Sequence, residues 1–166
     1  MIQSEKDLED YICNNQDEFI SKLKDVFYSK DIEFIGRQVR IGNDNIADLV
    51  YLSRPDEQYP ITELIIVELK FRELQCKDLS QIARYICVMQ EKDEFQNFEN
   101  IYGCFVSFGC SSEMKDVSKL YENIKFLNIK SNIKFNEEHY VYTKEYLDNL
   151  SLDDRLKEYM NLGETE

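Results

Sequence analysis

Leu8, Ile12, Phe19, Leu23, Val26 and Phe27 recur at the spacing of one helical face. Ser4-Glu5-Lys6-Asp7 stands ahead of them with the form of a capping box, Ser4 at the N-cap. This pattern predicts one helix over about residues 5–29. The period then shortens, and "IEFIGRQVRIG" and "NIADLVYLS" read as two strands around Gly42-Asn43-Asp44-Asn45, a composition suited to a hairpin turn. Both prolines fall in "SRPDEQYP", which predicts a loop before the strand "ITELIIVELKF". Leu79, Ile82, Ile86 and Met89 restore helical spacing from Lys77 to about Gln90. "IYGCFVSF" reads as a strand, and "GCSSEMKDVSKLYEN" as a turn leading through a Ser N-cap into a third helix. "IKFLNI" and "EEHYVYT" predict late strands, and "KEYLDNLSLDDRLKEYMNLGETE" one or two short acidic helices.

Strands and helices in this order fit an α/β fold with a central mixed β-sheet flanked by α-helices. "LIIVEL" is apolar on both faces, which requires cover on both sides of the sheet. The pattern predicts that residues 1–143 form the domain and that an acidic helical tail, 144–166, packs on it.

Composition narrows the classes. With 166 residues, 43% of them apolar, one domain with a single core is expected. No apolar run approaches the roughly 18 residues of a membrane span. "MIQSEKDLEDY" is acidic where an export signal is basic and apolar, so a cytoplasmic location is expected. The five cysteines, Cys13, Cys76, Cys87, Cys104 and Cys110, form no Cys-x-x-Cys pair, and the one histidine, His139, lies far along the chain. These spacings argue against a structural zinc site or a cysteine–histidine mechanism. A formal net charge of −13 argues against a broad polyphosphate-binding surface. Residues 68–85 reverse the balance locally, with Lys70, Arg72, Lys77 and Arg84 against Glu68, Glu73 and Asp78.

The polar interruptions of the core pattern carry the chemistry. Side chains alternate across a strand, so Glu68 and Lys70 share one face while Val67, Leu69 and Phe71 share the other. A buried lone charge is expensive, so this pair is matched internally at a strand end or meets a charged ligand. Asp48 is a single carboxylate among apolar residues of the preceding strand. Brought beside Glu68 it would repel it, unless a hard cation such as Mg2+ or Mn2+ neutralised both. Glu9 lies about 60° around the first helix from Ile12 and edges its buried stripe; Glu5 lies on nearly the same side and is the alternative. Lys77, Gln81 and Arg84 share one face of the second helix, with Tyr85 beside Gln81.

In their order, these residues resemble the PD-(D/E)XK nuclease superfamily, most closely the catalytic domain of archaeal-type mismatch and flap endonucleases. "DLEDYI" is similar to the family's helix-borne Glu, "FIGRQVRI" to its Arg-Gln strand, "IADLV" to its metal-binding Asp, "IIVELK" to its Glu-x-Lys strand, and "QIARY" to its Gln-x-x-Arg-Tyr helix. The match spans about residues 4–90; Ala47 stands where the superfamily's name places Pro. The resemblance implies a restriction-endonuclease-like fold and hydrolysis of DNA phosphodiesters. It implies that Asp48, Glu68 and the backbone carbonyl of Leu69 hold Mg2+ (or Mn2+), with Glu9 completing that site or binding a second ion. Lys70 would orient the attacking water or stabilise the developing charge, Gln81 would position the helix or nucleophile, and Arg37, Arg40 or Arg84 would contact phosphates. DNA is the expected partner, with a homodimer or a basic protein partner as the further expectation. The alternative is a nuclease-fold binding or inhibitory protein whose acidic surface engages a basic protein.

Overall fold

The structure, a computed structural model, describes residues 2–41, 45–55, 62–92, 98–130 and 134–137. Its elements are α1 (Glu5–Asn14), α2 (Gln16–Phe27), β1 (Asp31–Ile41), β2 (Asn45–Arg54), β3 (Glu63–Lys70), α3 (Cys76–Gln90), β4 (Asn100–Ser107), α4 (Ser112–Ser118), β5 (Ile124–Lys130) and β6 (Lys134–Glu137). The six strands form one sheet in sequence order. Pairing is antiparallel from β1 through β3, parallel from β3 through β5, and antiparallel again to β6. This is the mixed α/β architecture that the alternation of periods predicts.

Every residue of β3 is buried, as its two-sided apolar pattern requires. Ile65, Val67 and Leu69 face the side covered by α1 and α2, where Leu8, Ile12, Phe19, Leu23 and Val26 meet them. Leu64 and Ile66 face the other side, against Leu79, Ile82, Ile86 and Met89 of α3 and Met114 of α4. Alternation carries Glu68 and Lys70 onto the α3 side, where with the buried Ser107 and Asn128, in register with Lys70, they form the polar end of a mainly apolar layer.

One helix predicted over 5–29 is two. Asn15 leaves the helical region (φ −129, ψ 45) and serves both as the C-cap of α1 and as the start of α2. Its side-chain amide donates to the Tyr11 carbonyl at 2.8 Å, a local bond that competes with continuing the helix. The break lets Leu8 and Ile12 on α1, and Phe19, Leu23 and Val26 on α2, all reach the same side of a twisted sheet. The last strand, β6, falls on Lys134–Glu137, ahead of "EEHYVYT", of which only Glu137 is among the described residues. His139 and the tail 144–166 lie outside them. No helix among the described residues is long and apolar enough to cross a membrane.

Close approach of α3 to the sheet requires a residue without a side chain at Gly103 in β4. A Cβ there would lie 2.7 Å from Ile82 Cδ1 and 3.0 Å from its Cγ1. Ile82 is fully buried and stiff at its branched carbon, so it has little room to yield. Gly103→Ala is therefore expected to cost about 1–3 kcal/mol by overpacking, read as a lower urea midpoint at unchanged slope. A midpoint equal to wild type would show that α3 moves freely.

Candidate active site

β3 carries a buried carboxylate near each end, and their surroundings differ. Glu63, at its start, accepts from Ser53 Oγ at 3.2 Å, Asn100 Nδ2 at 3.1 Å and Tyr102 OH at 3.4 Å. Both of its oxygens are engaged, so this carboxylate holds strands together. Glu68, near the other end and only 1% exposed, accepts from Gln81 Nε2 at 2.7 Å and Lys70 Nζ at 3.4 Å. Both bonds fall on Oε2; Oε1 is buried and has no hydrogen-bond partner. A buried oxygen left in that state is costly unless a further group satisfies it.

Asp48 stands beside it because β2 and β3 part company there. Their ladder ends at the pair Leu49↔Val67, and one step beyond it the Asp48 side chain substitutes for a strand partner, Oδ2 accepting the Leu69 N–H at 2.8 Å. β2 then bends toward α3, so Ala47 joins the cluster under that helix and the Ile46 carbonyl accepts from Tyr85 OH at 3.1 Å. Gln81 donates to Tyr85 OH at 2.8 Å as well as to Glu68, which ties α3 to both diverging strands.

α1 closes the site from the opposite side. Leu8 and Ile12 are fully buried, and this orients Glu5 and Glu9, one turn apart, toward the ends of β2 and β3. Glu9 Oε2 accepts from Gln38 Nε2 at 2.6 Å, and the same nitrogen lies 3.3 Å from Asp48 Oδ1. Glu5 Oε1 accepts the Phe71 N–H at 3.3 Å. The two acids left open as alternatives thus both reach the site, by different contacts.

The electrostatics are those of an acidic cluster short of positive charge. Burial, and next the nearby Asp48 carboxylate, push Glu68 up to about 8, with Lys70 and the Asp48 backbone N–H acting against them. Burial also raises the Asp48 carboxyl, opposed by the Leu69 N–H, Lys70 and Gln38 and reinforced by Glu5. Two facing carboxylates that resist ionising in the metal-free protein fit a divalent cation in the chemistry of their donors: hard oxygens, one with an unfilled lone pair. No group of three or more His, Cys, Asp and Glu among the described residues is arranged to enclose a metal. Two carboxylates suffice for Mg2+, which keeps several of its own waters.

The predicted residues divide accordingly. Glu9, Asp48, Glu68, Leu69, Lys70 and Gln81 come together at this end of β3. Arg37 is bound to acids of α1, with Nη1 2.9 Å from Asp10 Oδ1 and Nε 3.7 Å from Glu9 Oε1. Arg40 and Arg84 are exposed. Arg72 has a function that the sequence pattern did not show. Its guanidinium holds both oxygens of Asp78 at 2.7 and 2.6 Å, while Asp78 Oδ2 accepts the Gln75 N–H at 2.9 Å. Burial alone would raise the Asp78 carboxyl, but Arg72 and the Gln75 N–H outweigh it and hold it low. This clamp fixes the turn that delivers Gln81 to Glu68. Its only sequence signal was Asp78 at the third position of a helix.

No protein-family model and no curated protein sequence matches the chain. Among solved structures, a repair endonuclease from Pyrococcus abyssi is similar with a TM-score of 0.55 at 18% identity, over 78% of this chain and 48% of that one. An EndoMS–dsDNA complex has a TM-score of 0.49 at 16% identity, over 76% of this chain and 45% of that one. The chain spans about half the length of the solved structures it matches. At these identities the likeness concerns the fold, and it establishes that this α/β chain shares its architecture with about half of a solved repair endonuclease.

Proposed function

We propose that the chain is a divalent-metal-dependent nuclease that hydrolyses DNA phosphodiesters at the end of β3. The observation that carries this reading is Glu68: a carboxylate 1% exposed, with one bare oxygen, beside a second carboxylate and a lysine. A structural carboxylate in the same strand, Glu63, is fully bonded, so burial in β3 does not itself leave an oxygen bare.

In this reading Asp48 and Glu68, with the Leu69 carbonyl, would hold Mg2+ or Mn2+, and Glu9, held by Gln38 and Arg37, would act on the site from beside the ion rather than as a third carboxylate ligand. The metal, when bound, polarises the phosphodiester and lowers the pKa of a coordinated water. Gln81 and Lys70 both hold Oε2 of Glu68, which leaves Oε1 as the oxygen for the cation. The Lys70 ammonium, at the rim with its side chain 11% exposed, donates to the attacking water or to charge developing on phosphorus-bound oxygen. Tyr85 keeps Gln81 in place by bonding to both α3 and β2. The exposed Arg40 and Arg84 are assigned to phosphates, whereas Arg37 acts through its hold on Glu9.

The test is incubation at low salt with linear duplex, single-stranded and branched DNA, in Mg2+, Mn2+ or EDTA, beside Lys70→Ala. Cleavage by wild type is expected only with metal, and is expected to fall about 10²–10³-fold in the variant. If wild type is inert on all three DNAs with either metal, the nuclease reading fails. The acidic chain would then be better read as a binder of a basic protein.

A further inference from the structure

We infer that Gln38 is a positioning residue, bridging Glu9 of α1 and Asp48 of β2 through one carboxamide and so setting the aim of the Asp48 carboxylate. Its consequence for metal and DNA rests on the nuclease reading; the bridge itself belongs to the metal-free protein.

The bridge is asymmetric: Gln38 Nε2 lies 2.6 Å from Glu9 Oε2 and 3.3 Å from Asp48 Oδ1. A carboxamide nitrogen carries two N–H groups, so one neutral side chain serves two anions without adding charge. The register puts Gln38 opposite Asp48, between the pairs Arg37↔Leu49 and Val39↔Ala47. Its backbone is the unusual feature. Gln38 has φ 51, the left-handed region that residues with a Cβ seldom adopt. Among the described residues the other such non-glycine is Tyr28, which caps the end of α2, where that conformation is ordinary. Gln38 lies within β1 and has no cap to make.

The conformation has a geometric result. In a regular strand Arg37 and Gln38 would point to opposite faces. Here both reach Glu9, Arg37 at Oε1 and Gln38 at Oε2, so consecutive residues grip both oxygens of one carboxylate. Glycine would adopt this backbone without strain, yet the position carries a long amide that uses its nitrogen on the two acids. That is the arrangement expected of an outer residue that orients ligands it does not replace.

Double-mutant cycles in EDTA test the bridge, using urea unfolding of Gln38→Met combined with Glu9→Gln and, separately, with Asp48→Asn. Gln38→Gly repeats each cycle with the backbone conformation unstrained, should the Met variant not fold. Each pair is expected to be non-additive by at least about threefold in the unfolding constant. The isosteric Gln38→Glu is expected to lower the urea midpoint further than Gln38→Met, since it places a third carboxylate among two; a merely space-filling residue would give the opposite order. Mn2+ titration without DNA, followed by electron paramagnetic resonance, is expected to show about tenfold weaker binding in Gln38→Met. Additivity with either acid, or unchanged Mn2+ affinity in Gln38→Met, overturns the inference. If wild type itself binds no Mn2+ and cleaves nothing, the nuclease reading falls and the cycles alone decide the bridge.

Discussion

Asp48→Asn is expected to fold at least as stably as wild type in EDTA while losing cleavage by about 10²–10³-fold or more, the range for removing one preorganised electrostatic group. Burial and the neighbouring Glu5 disfavour the Asp48 anion, and Asp48 in turn disfavours ionisation of Glu68. An amide removes that repulsion and keeps one carbonyl oxygen to accept the Leu69 N–H; its NH2 then faces Gln38 in place of Oδ1, and the loss of that long 3.3 Å contact is expected to be smaller than the repulsion relieved. Asp48→Ala removes the acceptor too and leaves the Leu69 N–H unmatched at the parting of two strands, at a cost of about 1–3 kcal/mol. Urea unfolding of the three proteins, paired with cleavage rates, gives the comparison. The expected order of stability is Asn, then wild type, then Ala, with both variants inactive. An Asn variant that cleaves like wild type would remove Asp48 from the chemistry. An Asn variant less stable than Ala would show that the carboxylate supports the fold rather than strains it.

Stability without metal is expected to fall as pH rises from about 5 to 8, and adding Mg2+ is expected to reduce or abolish that slope. Glu68 is raised from 4.5 to about 8 by burial first and by Asp48 second. The sign follows directly: between those two values the native carboxyl holds a proton that the unfolded chain has released. Native protein then binds more protons than unfolded, so stability is fully present below the unfolded pKa and declines as pH climbs through the folded one. The decline is bounded at about 1.4 kcal/mol per pH unit for one group. A cation on the carboxylates replaces the proton, so its stabilisation grows toward high pH. Asp78 works the other way: held low, it contributes stability that is lost as pH falls through its folded value, below the window of Glu68. The measurement is urea unfolding at several pH values with EDTA and with Mg2+. Glu68→Gln should flatten the EDTA series. A slope that persists in Glu68→Gln would place its origin elsewhere.

Much of this molecule could be read along the chain because its polar residues interrupt an otherwise regular pattern. Asp48 in "IADLV" and Glu68 and Lys70 in "IIVELK" break apolar strands, and Gln81 stands between the apolar positions Leu79 and Ile82 of α3. Those breaks survive translation into three dimensions, since strand alternation and helical spacing are local. What escaped is non-local or conformational. Glu63 and Glu68 look alike in sequence, both carboxylates in β3, and only their neighbours across the sheet separate a bonded one from one with a bare oxygen. The stop at Asn15 depends on a side chain bonding back to Tyr11, against an apolar spacing that continues through it. Arg37 reads as a free cation until α1 brings Glu9 and Asp10 to it. The left-handed backbone of Gln38 has no signal in residue type at all, since glycine or asparagine would have announced it.

At the Leu69 amide the sheet's own bonding ends on a residue of the proposed chemistry, because its proton is held by a side chain rather than by the neighbouring strand. That makes it a reporter. Its exchange with solvent deuterium depends on whether the Asp48 carboxylate stays in contact, while amides deeper in β3 answer only to opening of the whole sheet. Protonation, metal loading or substitution at the site would each be visible as a change at this single proton, measured on intact protein with no DNA present. The strand thus carries a readout of the proposed site that is independent of cleavage.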